Sequence, residues 1–223
     1  MNGDILTPFH KEILRLFASL EESKAFYFSG AMALSAYYLH HRLSEDIDIF
    51  CPVENLIPVA AQKFAQRLSQ ENIEVDIIRS FGSFWEALLK RDAEEIRIQL
   101  AYDTPFHLAD FSFYDGLNVH SLDDLATGKL LALFTRAEER DFIDVYLLVQ
   151  EKGYTIKRLV ELAKEKDPGV DEYYLALAFE KVEQLPDDIG QLRVTLLKPL
   201  DMRKLKTFFK QEAIFLLSSN LNK

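Results

Sequence analysis

The stretch Phe26-Tyr27-Phe28-Ser29-Gly30-Ala31-Met32-Ala33-Leu34 runs on through residues 35–41 into Arg42-Leu43-Ser44-Glu45-Asp46-Ile47-Asp48-Ile49-Phe50. Three consecutive aromatics read as a strand. Ser29-Gly30 breaks it. Ala31 to His40 has the small and straight-chain residues of a buried helix, and Leu43 to Phe50 is a second strand closed by Pro52. Alternate side chains of a strand share a face, so Asp46 and Asp48 point one way while Ile47 and Ile49 point the other.

Two carboxylates at that spacing are hard oxygen donors, the kind that selects magnesium or manganese. A pair of such ions can clamp the attacking and leaving oxygens of a phosphoryl transfer. The Ser29-Gly30 turn supplies the complementary half, because backbone N–H groups at a helix start hold phosphate oxygens. An Asp-x-Asp alone carries little in an acidic chain. Its weight here comes from the glycine turn within the same strand–helix–strand unit. The plain alternative is a pair of solvent-facing acids on an edge strand.

Outward from this unit, Phe9, Ile13, Leu14, Leu16, Phe17 and Leu20 give residues 7–22 an amphipathic helical period. Residues 56–70 repeat it. A strand is expected at 73–78, and 84–90 and 95–102 pair as a hairpin around Arg91-Asp92-Ala93-Glu94. Residues 84–89 also admit a helical turn. Beyond Pro105 a short strand falls near 117–120. Ser121 is then placed to cap a helix with Asp123 and Asp124 in its first turn. Helices follow at 122–136, 140–150, 156–166, 172–184 and 202–218, separated by Gly153, Pro168-Gly169, Pro186 and Pro199. The expected division is an α/β core over 1–120 and a helical domain over 121–223.

The composition of the 223 residues, 48% hydrophobic and 28% charged, is that of a soluble globular protein. No apolar run approaches the roughly 20 residues that span a bilayer, and no secretory signal opens the chain. A cytoplasmic protein without a membrane partner is expected. The single cysteine, Cys51, rules out an internal disulfide. A net charge of −10 disfavours nucleic acid or anionic lipid as a partner for the whole surface. Residues 191–223, however, hold seven Lys and Arg against two Asp and Glu. That surplus reads either as a solvated helix face or as a surface for a polyanion. The five histidines show no metal-ligand spacing, and there is no Walker-type loop or nucleophile elbow.

Gly30 followed by Asp46-Ile47-Asp48-Ile49 resembles the signature of the nucleotidyltransferase (polymerase β-like) superfamily. Gly30-Ala31-Met32-Ala33-Leu34 with His41-Arg42-Leu43-Ser44-Glu45-Asp46-Ile47-Asp48-Ile49-Phe50 resembles, more narrowly, the AbiEii/AbiGii toxin group of abortive-infection systems. Lys129-Leu130-Leu131-Ala132-Leu133 with Arg140-Asp141-Phe142-Ile143-Asp144-Val145-Tyr146 resembles that group's helical motif. The resemblance covers about residues 26–150. It implies an α/β (α+β) nucleotidyltransferase core with a short mixed sheet, followed by a C-terminal helical bundle. It implies Asp46 and Asp48 as ligands of Mg2+ or Mn2+, and Ser29, Gly30, Arg42 and Ser44 on the nucleotide side. Lys129 is implied as a triphosphate contact, and Asp141 or Asp144 as a helper near the acceptor. Arg42 reads equally as a residue that pins the strand through a carboxylate.

The implied activity is transfer of a nucleoside monophosphate from an NTP to an acceptor hydroxyl, with RNA, tRNA included, as acceptor and a cognate antitoxin as partner. Two departures stand out. The group's turn usually has Gly-Gly or Gly-Ser, against Ser29-Gly30 here. Superfamily members also place a third carboxylate on a neighbouring strand, where Ile96-Arg97-Ile98-Gln99-Leu100 offers Gln99; Asp103 and Asp76 are the nearest substitutes. A nucleotide-binding protein with weak turnover, and a toxin module acting through protein–protein contacts, are the competing readings.

Overall fold

The computed structural model describes residues 5–220, which divide into two compact units, Met1–Ser121 and Leu122–Lys223. In the first, helix α1 (Pro8–Ala18) starts at a capping box in which the Thr7 hydroxyl accepts from the His10 backbone N–H. A short 3-10 turn, Glu21–Ala25, leads into β1 (Tyr27–Ser29). Helix α2 (Gly30–Ala33) then widens into a π-helix over Leu34–Leu39 that ends on His40 in the left-handed region. β2 (Ile47–Cys51) precedes helix α3 (Leu56–Gln70), and β3 (Glu74–Phe81), β4 (Phe84–Arg91) and β5 (Glu94–Tyr102) follow as a meander. A small hairpin, β6 (Ser112–Tyr114) and β7 (Leu117–Val119), completes the unit.

These strands form one mixed seven-stranded sheet in the order β3-β4-β5-β2-β1-β7-β6. β1 runs antiparallel to β2, and β2 runs parallel to β5. One face is apolar: Ile47, Ile49, Trp85, Ala87, Leu89, Ile96, Ile98 and Leu100 are all buried. α1 and α3 cover it, with Phe64 packed edge-on against both Phe17 (5.2 Å) and Trp85 (6.5 Å). Each such aromatic contributes roughly 1.5–3 kcal/mol by leaving water. The other face carries the polar residues of β2 and β5.

Residues 84–90 and 95–102 pair as the expected hairpin, and the helical-turn alternative for 84–89 does not hold. Residues 84–89 are strand, in an unbroken antiparallel register from Phe84↔Ala101 to Arg91↔Glu94, with Asp92 taking the positive φ of the turn. β6 was not foreseen. Its turn, Asp115-Gly116, has positive φ at both residues, as a two-residue hairpin requires.

The second unit is helical: α4 (Leu122–Thr135), α5 (Glu139–Lys152), α6 (Ile156–Lys166), α7 (Glu172–Glu180) and α8 (Met202–Asn220). Its core centres on Phe209, which meets Phe142 at 4.9 Å and Phe179 at 5.1 Å, both edge-on. Thr155 and Asp171 cap α6 and α7 by accepting from backbone N–H groups, and Gly153 closes α5 at φ 75°. Among the described residues no helix is long and apolar enough to cross a membrane.

Candidate active site

The register of the sheet sets the site. Ser29 lies opposite Asp48, and Asp48 lies opposite Gln99. Asp46 stands one residue ahead of β2, and the alternation of half-buried Asp46 and Asp48 with buried Ile47 and Ile49 puts both acids on the sheet face away from α3. Asp46 makes no hydrogen bond or ion pair within the described residues.

Gly30 is fixed by this geometry. Its φ is +71°, and a Cβ built there would stand 2.0 Å from the Asp48 Oδ2. Only glycine lets the turn press against the second aspartate. The space a Cβ would fill is edged by a carboxylate oxygen, and the donors beside it, Asp46, Asp48 and the Gln99 carbonyl, are hard oxygens. That set fits Mg2+ or Mn2+.

Ser29 is buried, and its hydroxyl lies 2.7 Å from His120 Nδ1. The His120 Nε2 in turn is 3.3 Å from His107 Nδ1, and the Tyr27 ring packs over His120 at 4.2 Å. The Ser29–His120 contact spans 91 residues of sequence, and no local pattern foretells it.

Gln99 does occupy the strand neighbouring Asp48, and neither acidic substitute reaches that place. Asp103 lies beyond β5, where it accepts from the Tyr27 hydroxyl at 2.7 Å and from the Thr104 N–H at 2.8 Å. Asp76 is on β3, three strands from β2, and pairs with Lys90 at 2.5 Å. A carboxylate that sequence reasoning passed over stands in the same row: Glu86 of β4, opposite Gln99 and only 1% exposed. The Arg79 Nε lies 2.6 Å from it and the Arg97 Nη1 3.6 Å. Its signal was legible as a lone acid within Phe84-Trp85-Glu86-Ala87-Leu88-Leu89.

The remaining residues divide by unit. Arg42 is buried, with Nη1 donating to the Leu43 carbonyl at 3.1 Å, and Ser44 is half-buried in the approach to β2. In the helical unit, Lys129 and Asp144 come together as an ion pair of 2.8 Å, with Asp144 fully buried. Asp141 is engaged differently: Arg136 grips it through two 2.8 Å hydrogen bonds, and it completes the capping box of α5. The Asp141 hydrogen bonds raise the Arg136 pKa above its ordinary value. The basic surplus at the C-terminal end is partly neutralised, since Lys198, Lys206 and Lys210 pair with Glu151, Asp187 and Glu183.

A mixed sheet with a glycine turn pressed against the second of two strand aspartates is the core of a nucleotidyltransferase fold. The chain belongs to the AbiEii family, described as nucleotidyl transferase AbiEii toxins of type IV toxin–antitoxin systems, whose model matches residues 13–214. It is therefore an enzyme of the nucleotidyltransferase class. Among solved structures it is similar to MenT4, a nucleotidyltransferase toxin of Mycobacterium tuberculosis, with TM-score 0.60 and 18% identity over 94% of this chain and 82% of that one. It is also similar to JHP933 from Helicobacter pylori, with TM-score 0.58 and 18% identity over 96% and 95% of the two chains. An uncharacterised protein of Aquifex aeolicus is 26% identical over 183 residues, covering 72% of this chain and 75% of that protein.

Proposed function

We propose that this nucleotidyltransferase toxin moves a nucleoside monophosphate from an NTP to a hydroxyl of an RNA acceptor, in a magnesium-dependent reaction in the cytoplasm, and that a cognate antitoxin restrains it. The observation that carries the reading is the approach of Gly30 to Asp48, which sets a phosphate-sized turn beside paired hard-oxygen donors. Asp46 and Asp48 would hold the divalent ion. When bound, it neutralises phosphate charge and polarises the reacting phosphorus–oxygen bond.

The chain's own residues position and orient. Backbone N–H groups following Ser29 hold phosphate oxygens, and the Ser29 hydroxyl is fixed by His120. Lys129 offsets triphosphate charge, and Asp144 holds the lysine in place. Asp141 serves the architecture of α5. The acceptor oxygen bonds to the α-phosphorus while the bond to the bridging oxygen breaks and pyrophosphate leaves, a step governed by positioning and charge.

The test is incorporation of labelled nucleotide from Mg·NTP into total RNA. Asp46→Ala and Asp48→Ala each abolish it while the thermal transition is retained; undiminished transfer by either variant sinks the assignment. A second reading, tight nucleotide binding with slow turnover, is favoured by Gln99, a neutral amide aligned with Asp48. It predicts Mg-dependent stabilisation by NTP without pyrophosphate release.

A further inference from the structure

The register that aligns Ser29, Asp48 and Gln99 continues outward. Gln99 faces Glu86 on β4, and Glu86 faces Arg79 on β3, so one polar row crosses the open sheet face from the glycine turn to the sheet edge. Residues directly opposite one another share a face. The next row on that face is aromatic: Tyr27 faces Phe50, Phe50 faces Ala101, Ala101 faces Phe84, and Phe84 faces Phe81. The two rows meet at the edge, where the Arg79 guanidinium lies 5.0 Å from the centre of the Phe84 ring.

Glu86 gives this edge its chemistry. Buried at 1% exposure, it orients two arginines whose side chains are about half exposed, Arg79 at 54% and Arg97 at 49%. Arg79 spends its Nε on the carboxylate and Arg97 approaches it through one Nη, which leaves each planar guanidinium with further N–H donors. Phe81, beside them, is 63% exposed. Fixed guanidinium forks suit phosphate oxygens, and an aromatic surface beside them suits unpaired bases. A duplex hides the base faces this surface would stack. Three strand spacings, about 14 Å, separate Asp48 from Arg79, a span of a few nucleotides.

We infer that the open face of β3, β4 and β5 is the track of the acceptor, a single-stranded RNA segment whose phosphates meet Arg79 and Arg97 and whose bases stack on Phe81. Its terminal hydroxyl is thereby led along the polar row to Asp48. This deepens the proposed transfer reaction and rests on it.

The experiment is fluorescence anisotropy of a labelled single-stranded RNA decamer at several salt concentrations, with the same sequence as a duplex for contrast. Arg79→Gln/Arg97→Gln, in which an amide can still donate to Glu86, is expected to weaken binding at least tenfold and to reduce the log–log salt slope by about 1.4, at about 0.7 per phosphate. Phe81→Ala, at a largely exposed position, is expected to weaken binding about five- to tenfold with the slope unchanged. Unchanged affinity and slope in the arginine variant, equal binding of the duplex, or no binding by the wild type overturns the track. Stabilisation by Mg·ATP, and its loss in Asp48→Asn, reports on the nucleotide site separately. Retained stabilisation with unaltered RNA binding in the arginine variant removes the track alone. RNA binding that weakens as expected, without any Mg·ATP stabilisation, removes the transfer reading alone.

Discussion

Asp144 and Asp46, two carboxylates proposed for the transfer machinery, are held in opposite ways. In the helical unit the buried acids near the motif meet cations: Lys129 for Asp144, Arg136 for Asp141, Lys166 for Asp124. All three acids are buried to 2% exposure or less. In the sheet unit Asp46 is half-buried and carries no ion pair among the described residues. A buried carboxylate without a counterion is costly, so the helical unit supplies its cations from the sequence. A carboxylate at the water boundary tolerates the lack, and its charge remains available to an incoming metal. The difference separates a buried acid that organises the fold from a half-buried acid that the proposed reaction gives to the metal.

The comparison is most exposed at Lys129. Lys129→Ala removes the cation 2.8 Å from the fully buried Asp144 and is expected to cost about 3–5 kcal/mol, measured by denaturant unfolding of the full chain. Lys129→Met/Asp144→Leu should recover most of that stability while transfer stays abolished. If the single substitution is silent in unfolding, the pair does not organise the helical unit. Asp46→Asn is the counterpart, with an expected change within about 0.5 kcal/mol; a cost as large as that of Lys129→Ala would erase the distinction.

Gly30→Ala comes next. The left-handed backbone alone costs about 1–3 kcal/mol for a side-chain-bearing residue, and the new Cβ must also push the Asp48 carboxylate aside. Transfer should fall at least a hundredfold with a modest drop in melting temperature. Near-normal transfer would show that the close approach is not needed for the reaction.

A pH-dependent effect is expected at His10. Burial lowers its pKa, so the folded state favours the neutral ring. Its Nδ1 accepts from the Thr7 N–H at 3.3 Å and its Nε2 faces the Glu45 carbonyl at 3.5 Å. The unfolded chain takes up the proton first as pH falls below about 6.5. The contribution of His10 is therefore complete above that pH and fades as pH drops through the lower folded value. Melting temperatures from pH 7.5 to 5.5 should decline more steeply in the wild type than in His10→Asn. Parallel profiles would place the acid sensitivity elsewhere.

What could be read in advance follows the range of the interactions. α3 and α6 match their expected limits because their apolar spacing is local and their ends carry breakers. Asp46, Asp48 and Gly30 were legible as residue types, but the reason Gly30 is glycine, an oxygen from a strand eighteen residues later, is tertiary. The cations of Asp141 and Asp144 could not be assigned from helical spacing, since Arg140 is nearer to both in sequence than Arg136; Arg140 instead pairs with Glu138. β6 escaped because three residues with an exposed Phe113 carry no alternation to detect. The acceptor face escaped for a different reason. Its rows run across strands, so neighbours such as Asp48, Gln99 and Glu86 are scattered along the sequence.

The π-helix at Leu34–Leu39 has a consequence of another kind. Such a turn holds one residue more than the α-helix it interrupts. It turns Tyr37 onto Tyr114, at 4.4 Å, and brings the Tyr38 hydroxyl to the His120 carbonyl, at 2.9 Å. Removing any single residue between 34 and 39 would let the segment relax to an ordinary α-helix and swing both tyrosines off the β6–β7 hairpin. The segment is thus sensitive to its length as well as to its chemistry: a one-codon deletion there would do damage that no conservative substitution at the same positions reproduces.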